Sequence, residues 1–228
     1  MKKVLMIIPA RGGSKGIPRK NLVELGGFPL ISYVVRLALS AGLDADVVVS
    51  TDDEEIKEAA ETFGAWVPFV RPSELATDTA TTYDAVKHTV ETLSSMGYVY
   101  EDVILLQPTQ PFVTPESIRG AYELYLEHDK VGVAGVSSVM ESPVLMRTLD
   151  KNHQLTALLS GSSSIRRQDM PKYYRVNGAV YVNSVKDILA GPVSFNDNPL
   201  GFEMRSVEGF DIDTPLDRRF ADVILGII

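Results

Sequence analysis

Residues 2–21, KKVLMIIPARGGSKGIPRKN, decide the fold. Residues 4–8 are an unbroken apolar run that ends at Pro9, which reads as a β-strand buried on both faces. The loop behind it carries glycines at 12, 13 and 16 and cations at Arg11, Lys15, Arg19 and Lys20. Glycine lets the backbone take positive φ and come close to a ligand, and successive backbone N–H groups in such a loop form an anion-binding concavity. This cluster of cations beside a strand end suits a polyphosphate. A plain strand-to-helix connection is the simpler alternative, but it has no need of that charge. The loop is not a Walker P-loop, because the G-x-x-x-x-G-K-[ST] spacing is missing, and it is not G-x-G-x-x-G.

Working outward, strands and helices alternate. Pro29 opens a helical pattern with Leu30, Val34, Leu37 and Ala41 on one face and Gly42 as the stop. Residues 47–50 read as a short buried strand with Thr51 and Asp52 at its carboxyl end, and a helix runs from there through Ile56, Ala59, Ala60 and Phe63 to Gly64. Residues 66–70 are strand-like, allowing for Pro68. Residues 71–82 are polar and aperiodic and read as a functional loop. A helix over 82–96, a central strand at 103–106, a helix over 115–128 and a strand at 131–140 follow. From Glu141 to Lys172 the rhythm breaks into short pieces, which reads as an insertion suited to subunit contacts. Strands at 177–183 and 202–207, a short helix to Leu189 and a last helix over 215–225 complete the chain. The alternation predicts one α/β domain over residues 1–228: a three-layer, mostly parallel, Rossmann-like sheet with helices on both faces. In such sheets ligands sit beyond the carboxyl ends of the strands. Residues 11–21, 51–52, 71–82, 107–111 and 209–214 fall there and carry most of the polar clusters.

Composition narrows the function. The net charge of −8, from 22 basic and 30 acidic residues, argues against general nucleic-acid binding. A basic loop in an acidic protein points to a focused site for a small anion. The absence of cysteine excludes disulfides, thiolate metal sites and cysteine nucleophiles. No apolar run approaches the ~18 residues of a membrane span and no signal peptide is visible, so a cytoplasmic protein is expected. His88, His128 and His153 fall in helices or the insertion and read as structural or solvated.

The run R-G-G-S-K-G-I-P-R-K-N resembles the signature of the acylneuraminate cytidylyltransferases, the CMP-sialic acid synthetases and their legionaminic and pseudaminic acid relatives. R-P-S-E-L-A-T-D-T-A (71–80), L-Q-P-T-Q-P (106–111), R-R-Q-D-M-P (166–171), N-G-A-V-Y-V-N (177–183) and D-I-D-T-P (211–215) resemble that family's further blocks in the right order. The resemblance implies a nucleotide-diphospho-sugar transferase-like fold and a reaction of CTP with a nine-carbon 2-keto acid sugar. The anomeric 2-hydroxyl attacks the α-phosphorus, giving CMP-sugar and pyrophosphate. By the same resemblance Arg11 and Lys15 bind the triphosphate and stabilise the leaving pyrophosphate, with Gly13, Ser14 and Lys20 beside them. Asn21, Arg71, Ala80 and Thr82 match nucleoside positions. Gln107, Tyr181 and Arg167 match sugar positions, Arg167 reaching in from a partner subunit, and Phe195 corresponds to an aromatic wall.

Asp211 and Asp213 are the expected Mg²⁺ ligands. Asp-x-Asp on an extended segment puts both carboxylates on one face, and Mg²⁺ takes one or two carboxylates plus phosphate oxygens and waters. Asp211 is also a candidate general base, although metal binding would lower its basicity. The plain alternatives are that Asp213 caps the last helix and that Arg71 pairs with Glu74 or Asp78. Asp78 and Thr79 are expected to shape their loop, Asn177 to tie down the start of its strand, and Asp217 and Asp222 to be surface helix charges. One departure stands out. Sialic acid enzymes often carry a His-Pro element after the sixth strand, and here the stretch is Glu141-Ser142-Pro143-Val144-Leu145-Met146-Arg147. That suits a less polar relative of legionaminic type. A cytidylyltransferase for the eight-carbon acid KDO and a non-catalytic nucleotide-binding protein are the competing readings. The family forms homodimers through the region that residues 141–172 occupy here.

Overall fold

The computed structural model describes residues 3–160, 164 and 166–227, with only the backbone at Arg167. In chain order the elements are β1 (Val4–Pro9), β2 (Glu24–Leu25), β3 (Phe28–Pro29), α1 (Leu30–Leu39), β4 (Ala45–Ser50), α2 (Glu54–Thr62), α3 (Thr82–Ser95), β5 (Asp102–Leu106), α4 (Pro115–Glu127), β6 (Val133–Ser138), β7 (Arg147–Leu149), β8 (Leu155–Ala157), β9 (Tyr174–Ser184), α5 (Val185–Ala190), β10 (Leu200–Glu203) and α6 (Pro215–Leu225).

The main sheet has the order β10-β6-β9-β5-β1-β4. Neighbouring strands are parallel except around β9, which runs against both β5 and β6. The first apolar run is continuous because both its faces are covered. Val4, Met6 and Ile8 pack with Ile31, Val34 and Val35 of α1, Ile56 of α2 and Ile118 of α4. Leu5 and Ile7 turn the other way, to Val86, Val90 and Leu93 of α3 and Ile188 of α5. A third cluster, with Ile17, Leu25, Leu30, Phe112, Ile212 and Ala221, joins the first loop to the last helix. The three-layer α/β arrangement is the expected one.

Helix starts carry their own satisfiers. Asp53 caps α2 by accepting from Glu55 N–H and Ile56 N–H, and Thr114 caps α4 with Pro115 at its first position. Capping boxes open α3 (Thr81 with Asp84) and α6 (Thr214 with Asp217). Asp217 is therefore not the loose surface charge it resembles in the sequence.

Some strands differ from their expected extents. Residues 66–70 form no strand; they touch β4 only through isolated bridges at Trp66 and Val70, because Pro68 has no N–H to continue a ladder. The strand expected over 131–140 is limited to β6, and the one over 202–207 lies earlier, as β10. β9 is longer than expected and begins three residues earlier, at Tyr174. The insertion over 141–172 contains a short turn (Pro143–Leu145) and the β7–β8 hairpin, which stands apart from the main sheet. Residues 161–163 and 165 of the insertion lie outside the described residues.

Candidate active site

β1, β4 and β5 are parallel, so the loops leaving them emerge at one edge of the sheet. With residues 71–82 and the segment before α6 they enclose a cavity of about 370 Å³. Arg11, Gly13, Ser14, Lys20, Asn21, Arg71, Ala80, Thr82, Gln107, Asp211 and Asp213 all line it. Residues two hundred positions apart thus share one pocket.

The first loop supplies the cationic wall. Arg11 donates from Nη1 to the Thr77 carbonyl at 2.9 Å and lies 3.2 Å from Asp78 Oδ1. Lys15 does not itself line the cavity; its Nζ lies 2.9 Å from Asp78 Oδ2, which does. The hydrogen bond from Lys15, with the charges of Lys15 and Arg11, holds the Asp78 carboxyl below its usual range. Asp78 does more than shape its loop, since it occupies the cations that a polyphosphate would need. Arg19 faces away, 2.9 Å from Asp53 Oδ1 and 3.3 Å from Glu55 Oε2, so the fourth cation of the loop is structural. Two glycines have different reasons. A side chain on Gly16 would run into the Asp213 carbonyl oxygen, so this glycine lets the loop close on the segment bearing the acid pair. A Cβ on Gly13 would meet nothing within 4 Å, which leaves open space inside the pocket.

Opposite lies a polar pair short of partners. Arg71 is 4% exposed, and burial lowers its pKa against the opposing pull of Asp52. Its ion pair is with Asp52 Oδ1, at 3.8 Å, and not with Glu74 or Asp78. Arg71 Nε has no hydrogen-bond partner within the protein. Neither has Asn21 Oδ1, although Asn21 Nδ2 donates to the Arg11 carbonyl at 3.0 Å. Both residues line the cavity, but these two atoms are shut off from solvent, and a buried unpaired donor or acceptor costs about 1–3 kcal/mol.

A second compartment of about 490 Å³ shares Thr81, Thr82 and Gln107 with the first and adds Tyr181, Phe195 and Asn196. The Tyr181 and Phe195 rings lie 5.8 Å apart, and the Tyr181 hydroxyl donates to Asn196 Oδ1. Burial pushes the Tyr181 phenol up, and the charge of nearby Asp211 adds to the shift.

The acid pair sits where the compartments meet the last helix. Ile212 is buried in the third apolar cluster and donates its N–H to the Thr109 carbonyl at 3.0 Å, which leaves Asp211 and Asp213 facing the pocket. Asp211 is exposed to solvent along the cavity, and the protein around it displaces part of its hydration shell. That loss of hydration raises its carboxyl, Thr109 opposes the rise with a hydrogen bond, and Asp213 adds to it. Asp213 does not cap α6, because Thr214 does. Asp213 Oδ1 instead lies 2.7 Å from Lys20 Nζ. The segment is anchored by Glu208, 2% exposed, which accepts from Thr114, from the Ser117 hydroxyl and from Arg205 N–H.

Arg167 opens a short turn, Arg167–Asp169; its side chain lies outside the described residues. Asn177 holds the start of β9, donating to Ser137 Oγ and accepting from Ala179 N–H. Residues 141–147 line neither compartment of their own chain. His88 lies on α3 edge-on to Phe69, and burial first and Arg71 second lower its pKa. Sequence reasoning passed over the roles of Asp52, Thr109 and Asn196, each of which acts through a contact with a distant segment. The one available signal was position, since Asp52 and Thr109 both follow the carboxyl end of a strand.

Residues 5–215 match the family model described as cytidylyltransferase. The chain is 36% identical over 223 residues to the pseudaminic acid cytidylyltransferase of Campylobacter jejuni subsp. jejuni serotype O:2, covering 97% of this chain and 96% of that protein. It is 35% identical over 217 residues to the CMP-N,N'-diacetyllegionaminic acid synthase of Legionella pneumophila subsp. pneumophila, covering 94% and 93%. Among solved structures, a CMP:2-keto-3-deoxy-manno-octonic acid synthetase complexed with CTP superposes with a TM-score of 0.73 at 20% identity, over 99% of both chains. That last likeness is one of fold.

Proposed function

The chain belongs to the cytidylyltransferase family, and from that premise we propose that it transfers CMP from CTP to the anomeric 2-hydroxyl of a nine-carbon 2-keto acid sugar, releasing pyrophosphate. The observation that carries the reading is the single pocket in which the cationic first loop, Arg71, Gln107 and the Asp211/Asp213 pair converge. Names of the near-full-length relatives, for pseudaminic and diacetyllegionaminic acid, support a nonulosonic acid as acceptor.

In this reading Arg11, Lys15 and Lys20 neutralise the triphosphate and take up charge on the departing pyrophosphate. The space beside Gly13 admits a phosphate close to the backbone, and Ser14 adds a hydroxyl. Arg71 donates to the cytosine acceptors, which are O2 and N3, while Asn21, Ala80 and Thr82 hold the nucleoside. Gln107, Tyr181 and Phe195 hold the sugar in the second compartment, so that its 2-hydroxyl meets the α-phosphate at the shared wall of Thr82 and Gln107. The reaction then turns on positioning and charge neutralisation.

The donor set fits Mg²⁺. Two carboxylates two residues apart face one cavity, and Asp211 and Asp213 would hold the ion with phosphate oxygens and waters as its remaining ligands. When bound, the metal supplies Lewis-acid stabilisation of the phosphate charge. Asp211 is the candidate general base, and loss of hydration raises its carboxyl.

The enzyme works as a homodimer in this proposal, with the 141–172 insertion as the contact. Its apolar side chains support this, since Leu145 is 56%, Leu149 63% and Leu155 67% exposed. Arg167 then serves the partner's sugar site. The apolar stretch at residues 144–146 in place of a His-Pro element supports a legionaminate-type acceptor. A cytoplasmic location goes with a reaction that consumes CTP; no helix among the described residues is long and apolar enough to cross a membrane.

Pyrophosphate release from CTP and Mg²⁺, measured with N-acetylneuraminate, diacetyllegionaminate, pseudaminate and KDO in turn, tests the reading. Release with a nine-carbon acid is expected, fastest with the legionaminate. Preference for N-acetylneuraminate would overturn the legionaminate assignment. Release with KDO alone would favour the eight-carbon reading, and no release with any acid would leave a nucleotide-binding protein.

A further inference from the structure

The carboxyl end of β4 is stitched to two functional loops at once. Ala10 N–H donates to the Ser50 carbonyl at 2.9 Å, and Arg71 N–H donates to the Thr51 carbonyl at 2.7 Å. Asp52, next in the chain, directs its side chain to the same two neighbours. Its Oδ1 accepts from Gly12 N–H at 3.0 Å and lies 3.8 Å from Arg71 Nη2. We infer that Asp52 is a positioning residue that couples the triphosphate loop to the arginine reading the base. The inference rests on the cytidylyltransferase reading given above.

The physical case begins with Arg71. A guanidinium that is 4% exposed needs a counter-charge, because removing the partner of a buried ion is far more costly than losing a surface pair. Arg11 lies close enough for its like charge to press on Arg71 as well. The neighbouring carboxylates are otherwise engaged. Asp78 holds Arg11 and Lys15, while Asp53 caps α2 and holds Arg19. Asp52 is left to balance Arg71, and its side chain is 21% exposed, so solvent screens the contact little. With Nη2 3.8 Å from Asp52 Oδ1, the contact is an ion pair rather than a hydrogen bond, and its charge biases where the planar guanidinium sits. The same carboxylate oxygen holds the Gly12 amide, so a shift of either loop is felt by the other. A carboxylate at the foot of a triphosphate site would repel the ligand were its charge not balanced by Arg71.

Steady-state kinetics with CTP and UTP on the whole enzyme test this. Asp52→Asn is isosteric, keeps an acceptor for Gly12 N–H and removes the counter-charge. It should raise the KM for CTP and lower the CTP-over-UTP ratio of kcat/KM, each about tenfold, leaving kcat and the sugar KM near wild type. Asp52→Ala also frees the Gly12 amide and should lower kcat in addition. Because Asp52 acts through Arg71, the change in ratio caused by Asp52→Asn should vanish in an Arg71→Ala background. A wild-type ratio in Asp52→Asn would overturn the proposal, as would a ratio that still falls in the Arg71→Ala background. A general loss of folding would lower all rates without changing the nucleotide ratio; where Asp52→Ala does not fold, the isosteric variant carries the test. Failure of the wild-type enzyme to turn over CTP with any acid sugar would instead overturn the functional reading.

Discussion

At the scale of residues, the site is a set of charges balanced before any ligand arrives. Arg11 and Lys15 share Asp78, Lys20 holds Asp213, and Arg71 faces Asp52. The first pairs are exposed, and exposed ion pairs are weak. A triphosphate brings more negative charge than one carboxylate and displaces Asp78 readily. Lys15→Ala should therefore lower kcat, on the order of a hundredfold if Lys15 takes up charge that develops in the transition state, with little change in the sugar KM. Kinetics in which only the sugar KM rose would refute that role. Arg11, Asn21, Arg71 and Gln107 were legible in the sequence because each belongs to a contiguous block with a chemistry of its own. Asp52 was not, since its meaning lies in Gly12 and Arg71, which flank it only in space.

At the scale of elements, loops are held where the chemistry needs them. Gly16 meets the Asp213 carbonyl, so Gly16→Ala must push the phosphate loop away from the acid pair. A displacement of about 1 Å is worth on the order of 10²-fold in rate, and kcat should fall by that order with the fold intact by circular dichroism. Gly13→Ala is the contrast. Its Cβ meets no protein atom within 4 Å, so thermal stability should hold while the KM for CTP rises, because the methyl takes phosphate space. An unchanged KM would show that no phosphate comes there. Glu208 anchors the acid-pair segment to the start of α4. Burial alone would raise its carboxyl, but hydrogen bonds from Ser117, Thr114 and Arg205 outweigh it and hold the carboxyl below its usual range. A lowered folded-state pKa contributes stability that is full above the unfolded value and is lost as pH falls through the folded one. Glu208→Gln should lose about 1–3 kcal/mol at pH 7, and its stability should fall less steeply than wild type below about pH 4.5. Denaturant melts at pH 7, 5 and 3.5 measure both; parallel curves would contradict the assignment. Helix starts were readable from Thr114-Pro115 and Thr214-Pro215. The β10 boundary and the loss of a strand at 66–70 were not, because strand pairing depends on a neighbour's register as well as on local propensity.

At the scale of the whole molecule, the proposed homodimer rests on the insertion. The β7–β8 hairpin presents Leu149 and Leu155 to solvent, apart from the main sheet. A second copy covering it would bury them. Leu149→Asp with Leu155→Asp should give a monomer by light scattering with much reduced turnover, because Arg167 could no longer serve the partner. A monomer with full activity would separate the insertion from catalysis.

The sequence by itself determined the class of fold and the kind of site. A continuous apolar strand followed by a cationic glycine loop, repeated strand–helix periodicity and a late Asp-x-Asp are local patterns, and local patterns follow from the chain alone. Only the tertiary structure decided which charges answer which. β9 running against its neighbours, Arg19 turning to Asp53, Asp217 rather than Asp213 completing the last cap, and Asp52 spanning two loops all depend on segments brought together by burying the sheet. Electrostatic contacts are set by distance in space, and that distance exists only once the core has closed. The opening loop thus brings Arg11 and Lys20 to the pocket and keeps Arg19 for the fold.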